Sequence, residues 1–393
     1  MTRTEVVHSE LDRIQRRSLL VGGVGLTLCV GGALLDPAQF FQSYLFAYLF
    51  WIGIALGSLA ILMLHHLVGG AWGFVIRRVL EAAAGTLPVM ALLFVPILFG
   101  LHDLYVWARP EAVAGSELLQ HKSPYLNVPF FLIRTAIYFA AWIGLAFLFN
   151  EWSLEQDRTG EPALSRRLQM LSGPGLLVYG LTMTFGSIDW VMSLEPEWFS
   201  TIYGITFMVG QALAGFAFAI LIAVLLADRQ PLAGVVSAAH FHDLGNLLLA
   251  FVMLWAYMAF SQFLIIWTGN LPEEITWYLH RAGGGWNWVG LFVVIFHFAV
   301  PFLLLLSRGA KRRLHMLFAV AMTIVVMRLV DLFWLVAPAF HPSGVRVHWM
   351  DLVAPIGVGG IWMGVFARQL KGRPLLPPHD PYVKEAFHHE RGA

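Results

Sequence analysis

The sequence predicts an all-α integral membrane protein of about ten transmembrane helices. Three observations predict the membrane class. The apolar share is 58 % and charged residues supply only 12 %, against about 25 % charged in an average soluble chain. The apolar material falls into repeated runs near the ~20 residues that cross a bilayer. Lys and Arg collect on alternate sides of those runs, as the positive-inside rule requires.

The ten expected segments are 18–35, 44–64, 85–101, 128–149, 172–194, 201–226, 244–267, 287–306, 314–336 and 352–367. The first follows Arg13, Arg16 and Arg17 and holds the only cysteine, Cys29. Its apolar stretch is longer than a signal-peptide core and no clear small-residue cleavage site follows, so it reads as a retained helix. A single cysteine leaves no intrachain disulfide, no CxxCH haem attachment and no cysteine-ligated metal or iron–sulfur cluster. Segment two ends in His65 and His66, and segment three ends in His102 and Asp103. Segment four contains Arg134, and segment five contains Asp189. Segment seven opens on HFHDLGN, with His240, His242 and Asp243, and carries Ser261 and Gln262 further along. Segment eight holds His297, and segment nine holds Arg328 and Asp331.

With the N-terminus assigned to the cytoplasm, 19 Lys and Arg fall inside and only Arg109, Lys122, Arg281 and Arg346 outside, leaving Arg134 and Arg328 within apolar runs. Both termini are therefore expected to be cytoplasmic. The expected organisation is an N-terminal tail (1–17), a membrane domain (18–368) and an extended cytoplasmic arm (369–393) in which Pro374, Pro377, Pro378 and Pro381 oppose a core. The arm is free to lie along a partner. A net charge of +1 gives no field that would favour nucleic acid.

Segment two contains IGIALGS (Ile52 to Ser58) and segment six VGQALAG (Val209 to Gly215). Asp189 precedes Pro196 by the interval at which Asp331 precedes Pro338. Helices two to five then correspond to helices six to nine, as parallel repeats. The alternative is that Gly and Ala recur wherever helices cross closely.

Ionisable groups inside apolar runs are costly, and by default they mark a function or an ion pair. Arg134, Asp189, Arg328 and Asp331 fall in the outer half and His297 near the middle, with Asp103, His102, Gln262 and Ser261 able to join the same layer. Read structurally, Arg134 neutralises Asp189, while Arg328 and Asp331 pair along one helical face. Read functionally, an Asp or His there accepts protons. Asp189, with no partner on its own helix, leans to the second account, and the Arg328/Asp331 spacing leans to the first. At the cytoplasmic side, His65, His66, His240, His242 and Asp243 are either interfacial residues or the mouth of a proton path. Only His297 is deep, so a bis-histidine b-type haem is not expected. Trp51, Trp107, Trp198, Trp267, Trp277 and Trp286 read as interfacial anchors.

The stretches LMLHHLVGGAWGFVIRRVLEAAAGTLP, TFGSIDWVMSLEPEWFSTIYG and HFHDLGNLLLAFVMLWAYMAFSQFLIIWTGNLPEE resemble the ActF-type membrane subunit of bacterial alternative complex III, across nearly all of residues 40–370. The resemblance implies an NrfD/PsrC-like fold, two four-helix bundles (helices 2–5 and 6–9) plus two further helices, in the bacterial inner membrane. It implies a paralogous NrfD-like membrane subunit, an iron–sulfur subunit and c-type haem subunits as partners, with menaquinol as the lipid-soluble reductant. In that family the paralogous subunit is the better candidate for the quinol site, so no quinol-site residue is carried over to this chain. The rival readings are a stand-alone secondary transporter and a purely structural membrane anchor.

Overall fold

The computed structural model describes residues 3–230, 232–233 and 236–383, with side chains from residue 9. Ten of the described helices are long and apolar enough to cross a bilayer, and no strand occurs among the described residues. They are α1 (Arg3–Leu35), α2 (Pro37–Val68), α3 (Ala71–Phe99), α4 (Val128–Thr159), α5 (Pro162–Leu194), α6 (Tyr203–Leu226), α7 (Ala238–Gly269), α8 (Trp286–Leu306), α9 (Leu314–Ala339) and α10 (Trp349–Lys371). The chain is a multi-pass membrane protein.

Local chemistry sets the breaks between helices. Pro37 pushes the preceding Asp36 out of helical geometry (φ −145°, ψ 88°), and the Asp36 carboxylate caps α2 by accepting from the Gln39 amide at 3.1 Å. Gly160 ends α4 in the left-handed conformation, and Pro162 starts α5. Asn270 ends α7 in the same way, ahead of Pro272. In α8, Pro301 supplies no amide for the carbonyl four residues earlier, that of His297, and the turn Val294–Ala299 opens into a π-helix.

The helices close into two rings. In the first, α2 packs on α3 and α5, and α4 completes the circuit; in the second, α6 packs on α7 and α9, and α8 completes it. The seam between the bundles is α2 against α6, while α1 pairs with α10, which lies on α2. The two similar motifs meet at this seam. A Cβ on Gly215 would lie 2.6 Å from the Ser58 amide nitrogen, and one on Gly57 would strike the backbone of Gln211. Small residues recur there because each motif is the surface against which the other crosses.

Several helices outrun their apolar segments. α1 reaches back to Arg3, through most of the expected tail, and α3 begins at Ala71 instead of 85. The stretch 268–286 contains the helix Pro272–Ala282. Hydropathy marks the part of a helix immersed in lipid, whereas hydrogen-bonded turns continue wherever polar side chains find partners. The C-terminal segment also departs from a free arm. Residues 372–383 fold back over the end of the bundle that carries most Lys and Arg (the basic end), where Asp380 and Arg373 join buried ion pairs. Lys384, Arg391 and the rest of 384–393 lie outside the described residues.

Candidate functional site

Three of the polar constellations among the described residues differ in how fully their groups are satisfied. In the first bundle, Arg134 of α4 donates through Nε and Nη2 to both oxygens of Asp189 on α5, each at 2.8 Å. Tyr138 donates to the same carboxylate at 2.8 Å, and Arg134 Nη1 donates to the Tyr125 carbonyl at 3.0 Å. The guanidinium also lies between the rings of Tyr125 and Phe130, 3.9 and 4.2 Å from their centroids. Asp189 is fully buried, and the adjacent Trp190 fills the bundle with Phe94, Phe139 and Trp142.

In the second bundle Arg328 and Asp331 of α9 pair through Arg328 Nη1. Gly210 of α6 gives the guanidinium its room, since a Cβ there would strike it. Arg328 Nη2, although buried, finds no hydrogen-bond partner among the described residues. Beside Asp331 stands Leu332, where the first bundle has Trp190 beside Asp189. A cavity of about 670 Å³ opens here between α6, α7, α8 and α9, with aromatic walls that include Phe207, Trp255 and Trp334. Its polar groups include those of Arg328, Asp331, Gln262 and Tyr203. Tyr257 and Phe260 on the α7 wall are 63 % and 60 % exposed, so the cavity has a lateral opening toward lipid. His297 lies in the π turn of α8, fully buried against Trp255 at 4.4 Å between ring centroids, and neither of its ring nitrogens has a partner among the described residues.

Sequence reading missed the third constellation. Arg77, Arg78 and Glu81, expected in a loop, are buried on α3. Arg77 bonds Glu81 at 2.9 Å and Asp380 at 2.6 Å, Arg78 bonds Glu81 at 2.7 Å and Asp157 at 2.5 Å, and Arg373 reaches Glu81 at 3.4 Å. Burial pulls the Arg373 guanidinium below its usual range, and Glu81 opposes the shift. The i, i+4 spacing of Arg77 and Glu81 was the available local signal. His65 and His66 lie beside this network, His65 packed on Trp72 and His66 stacked on Phe149.

The other candidates scatter. Asp103 and His102 sit in the short helix Leu101–Leu104, where their carbonyls accept from Arg109. Ser261 is half-buried on α7. His240 closes a capping box with Ser237, and His242 lies 3.5 Å from Asp243. These three residues begin α7, in the opposite bundle from His65 and His66.

The tryptophans correct the interfacial reading. Trp107, Trp198, Trp277 and Trp286 are buried and Trp51 is half-buried, leaving Trp267 as the exposed one of the six. Their indoles bridge the ends of helices: Trp198 Nε1 donates to the Glu274 carbonyl and Trp286 Nε1 to the His341 carbonyl. Trp198 also stacks on Trp277, which roofs the cavity, with centroids 4.9 Å apart.

Neither a scan against protein-family models nor a search of curated proteins finds a match for this chain.

Proposed function

We propose that this chain is the integral membrane subunit of a quinol-oxidising complex, and that it admits a lipid-soluble quinol of the menaquinol class into the cavity of its second bundle. The observation that carries the reading is the cavity itself, with aromatic walls, a lateral opening and a buried Arg328–Asp331 pair at its polar end. An isoprenoid quinol needs a slot for a flat ring, an exit for its tail and hydrogen-bonding groups at its hydroxyls. About 670 Å³ lies within the range typical of small-molecule sites.

In this reading Asp331 accepts a proton from the quinol hydroxyl, and Arg328 orients and stabilises the oxygen as charge develops there. The proton role goes to Asp331 in preference to Asp189, because both Asp189 oxygens are already held by Arg134 and Tyr138. Electrons pass to a metal-centred acceptor on another chain, the iron–sulfur or c-haem subunits that the resemblance implies. The loops 102–127 and 268–286, at the end opposite the basic face, are the surface on which such a subunit is anchored.

Ala256 lines the cavity on α7. Ala256→Trp should leave the complex assembled, abolish quinol oxidation and lower the quinone that co-purifies. Normal turnover and quinone content in that variant would overturn the assignment.

A further inference from the structure

We propose that Glu195 and His280 form the outlet through which protons released in the second-bundle cavity reach solvent at the end opposite the basic face. This rests on the quinol reading above and adds residues that no sequence pattern singled out.

Glu195 follows α5, so it comes from the first bundle, while His280 and Arg281 belong to the connecting helix Pro272–Ala282 of the second. One Glu195 oxygen lies 2.7 Å from His280 Nδ1, and the other accepts from Arg281 Nη1 at 3.0 Å. The carboxylate is 13 % exposed and the imidazole 46 % exposed, so the pair runs from buried to wet. Trp277 is the shared wall. It roofs the cavity on one face and on the other borders a surface groove of about 320 Å³ that holds Glu195 and His280.

Arg281 spans the same wall. Its guanidinium donates to the carbonyls of Trp334 and Leu335, both of which line the cavity, and on its other side to Glu195. Burial pulls this guanidinium below its usual range, and Glu195 opposes the shift. Tyr203, which lines the cavity, packs edge-on against Trp198 of the groove at 5.5 Å between ring centroids.

These groups give the path a direction. With Glu195 ionised the Glu195–Arg281 pair is neutral. A proton arriving on the carboxylate leaves Arg281 uncompensated in a poorly solvated position, which favours passing the proton on to His280. The imidazole can take a proton on one ring nitrogen and give one up from the other, and here it faces water. The other charged groups around the pair are Glu197, which lines the groove, and Lys122, whose ammonium donates to the Pro196 carbonyl at 2.6 Å.

The balance is simple. Oxidation of one quinol gives two electrons to the metal-centred acceptor of the partner chain and releases two protons. Each proton moves from the cavity to the Glu195 carboxylate, then to the His280 imidazole, then to water, with one bond to hydrogen broken for each one formed.

The test uses the assembled complex with a short-chain menaquinol analogue as donor, measuring kcat and KM as a function of pH. His280→Ala should lower kcat about tenfold with KM unchanged, and added imidazole should restore most of the loss. Glu195→Gln should lower kcat without rescue. Wild-type kcat in His280→Ala, or a loss that imidazole leaves untouched, would overturn the outlet, even if Glu195→Gln impairs assembly. The two readings fail separately: normal turnover in Ala256→Trp removes the cavity as the source, whereas inactive Ala256→Trp beside fully active His280→Ala removes the outlet alone.

Discussion

Two acid–base pairs at matching positions in the two bundles differ most at the level of single residues. Asp189 accepts three side-chain hydrogen bonds and is sealed under Trp190, whereas Asp331 accepts from Arg328 at the edge of a cavity. Asp189→Asn leaves Arg134 buried without its counter-charge and is expected to cost about 3–5 kcal/mol, read as a lower melting temperature or lost assembly. Asp331→Asn also strips a buried guanidinium of its counter-charge and is expected to lower the melting temperature, but the complex that assembles should in addition lose quinol turnover, which that of Asp189→Asn should not. Equal effects of the two substitutions on stability and on rate would contradict the division of roles. The sequence made both pairs legible, because charges in apolar runs stand out and the Arg328/Asp331 spacing puts both on one helical face. It did not make the cavity legible. Whether a bundle is filled depends on Trp190 in one place against Leu332 in the other, and on which neighbours each side chain meets.

At the level of elements, ten apolar runs were enough to count the helices, and the similarity of Ile52–Ser58 to Val209–Gly215 marked the two helices that meet at the seam. Replacing Gly215 with Val inserts a side chain where a Cβ alone would lie 2.6 Å from the Ser58 amide nitrogen. We expect a loss of about 1–3 kcal/mol or more, measurable as a lower unfolding temperature of the detergent-purified complex. An unchanged transition would mean that the bundles tolerate separation at this crossing. What hydropathy could not show was the start of α3. Arg77, Arg78 and Glu81 look like loop residues until their partners are known, and one of those partners, Asp380, lies 303 positions away. The π turn around His297 was equally hidden, although Pro301 in the sequence was its cause.

On the scale of the whole molecule, the two four-helix bundles have different interiors. The first bundle is packed with aromatic rings and closed at its basic end by a buried ion network that the segment 372–383 completes. The second keeps α7 and α8 loosely covered and holds the cavity. The tryptophans show the same limit of local reading: residue type placed them near helix ends, but tertiary packing made four of them interior, Trp198 and Trp277 against each other, Trp107 on Phe131 and Trp286 on Phe333. The central claim is that the second bundle admits a quinol from lipid, and photolabelling of the intact complex with an azido-menaquinone followed by peptide mapping tests it most directly. The account predicts label on the α7 stretch from Met253 to Phe263, suppressed by excess menaquinone; label confined to other subunits, or to the aromatic-filled first bundle of this chain, would contradict it.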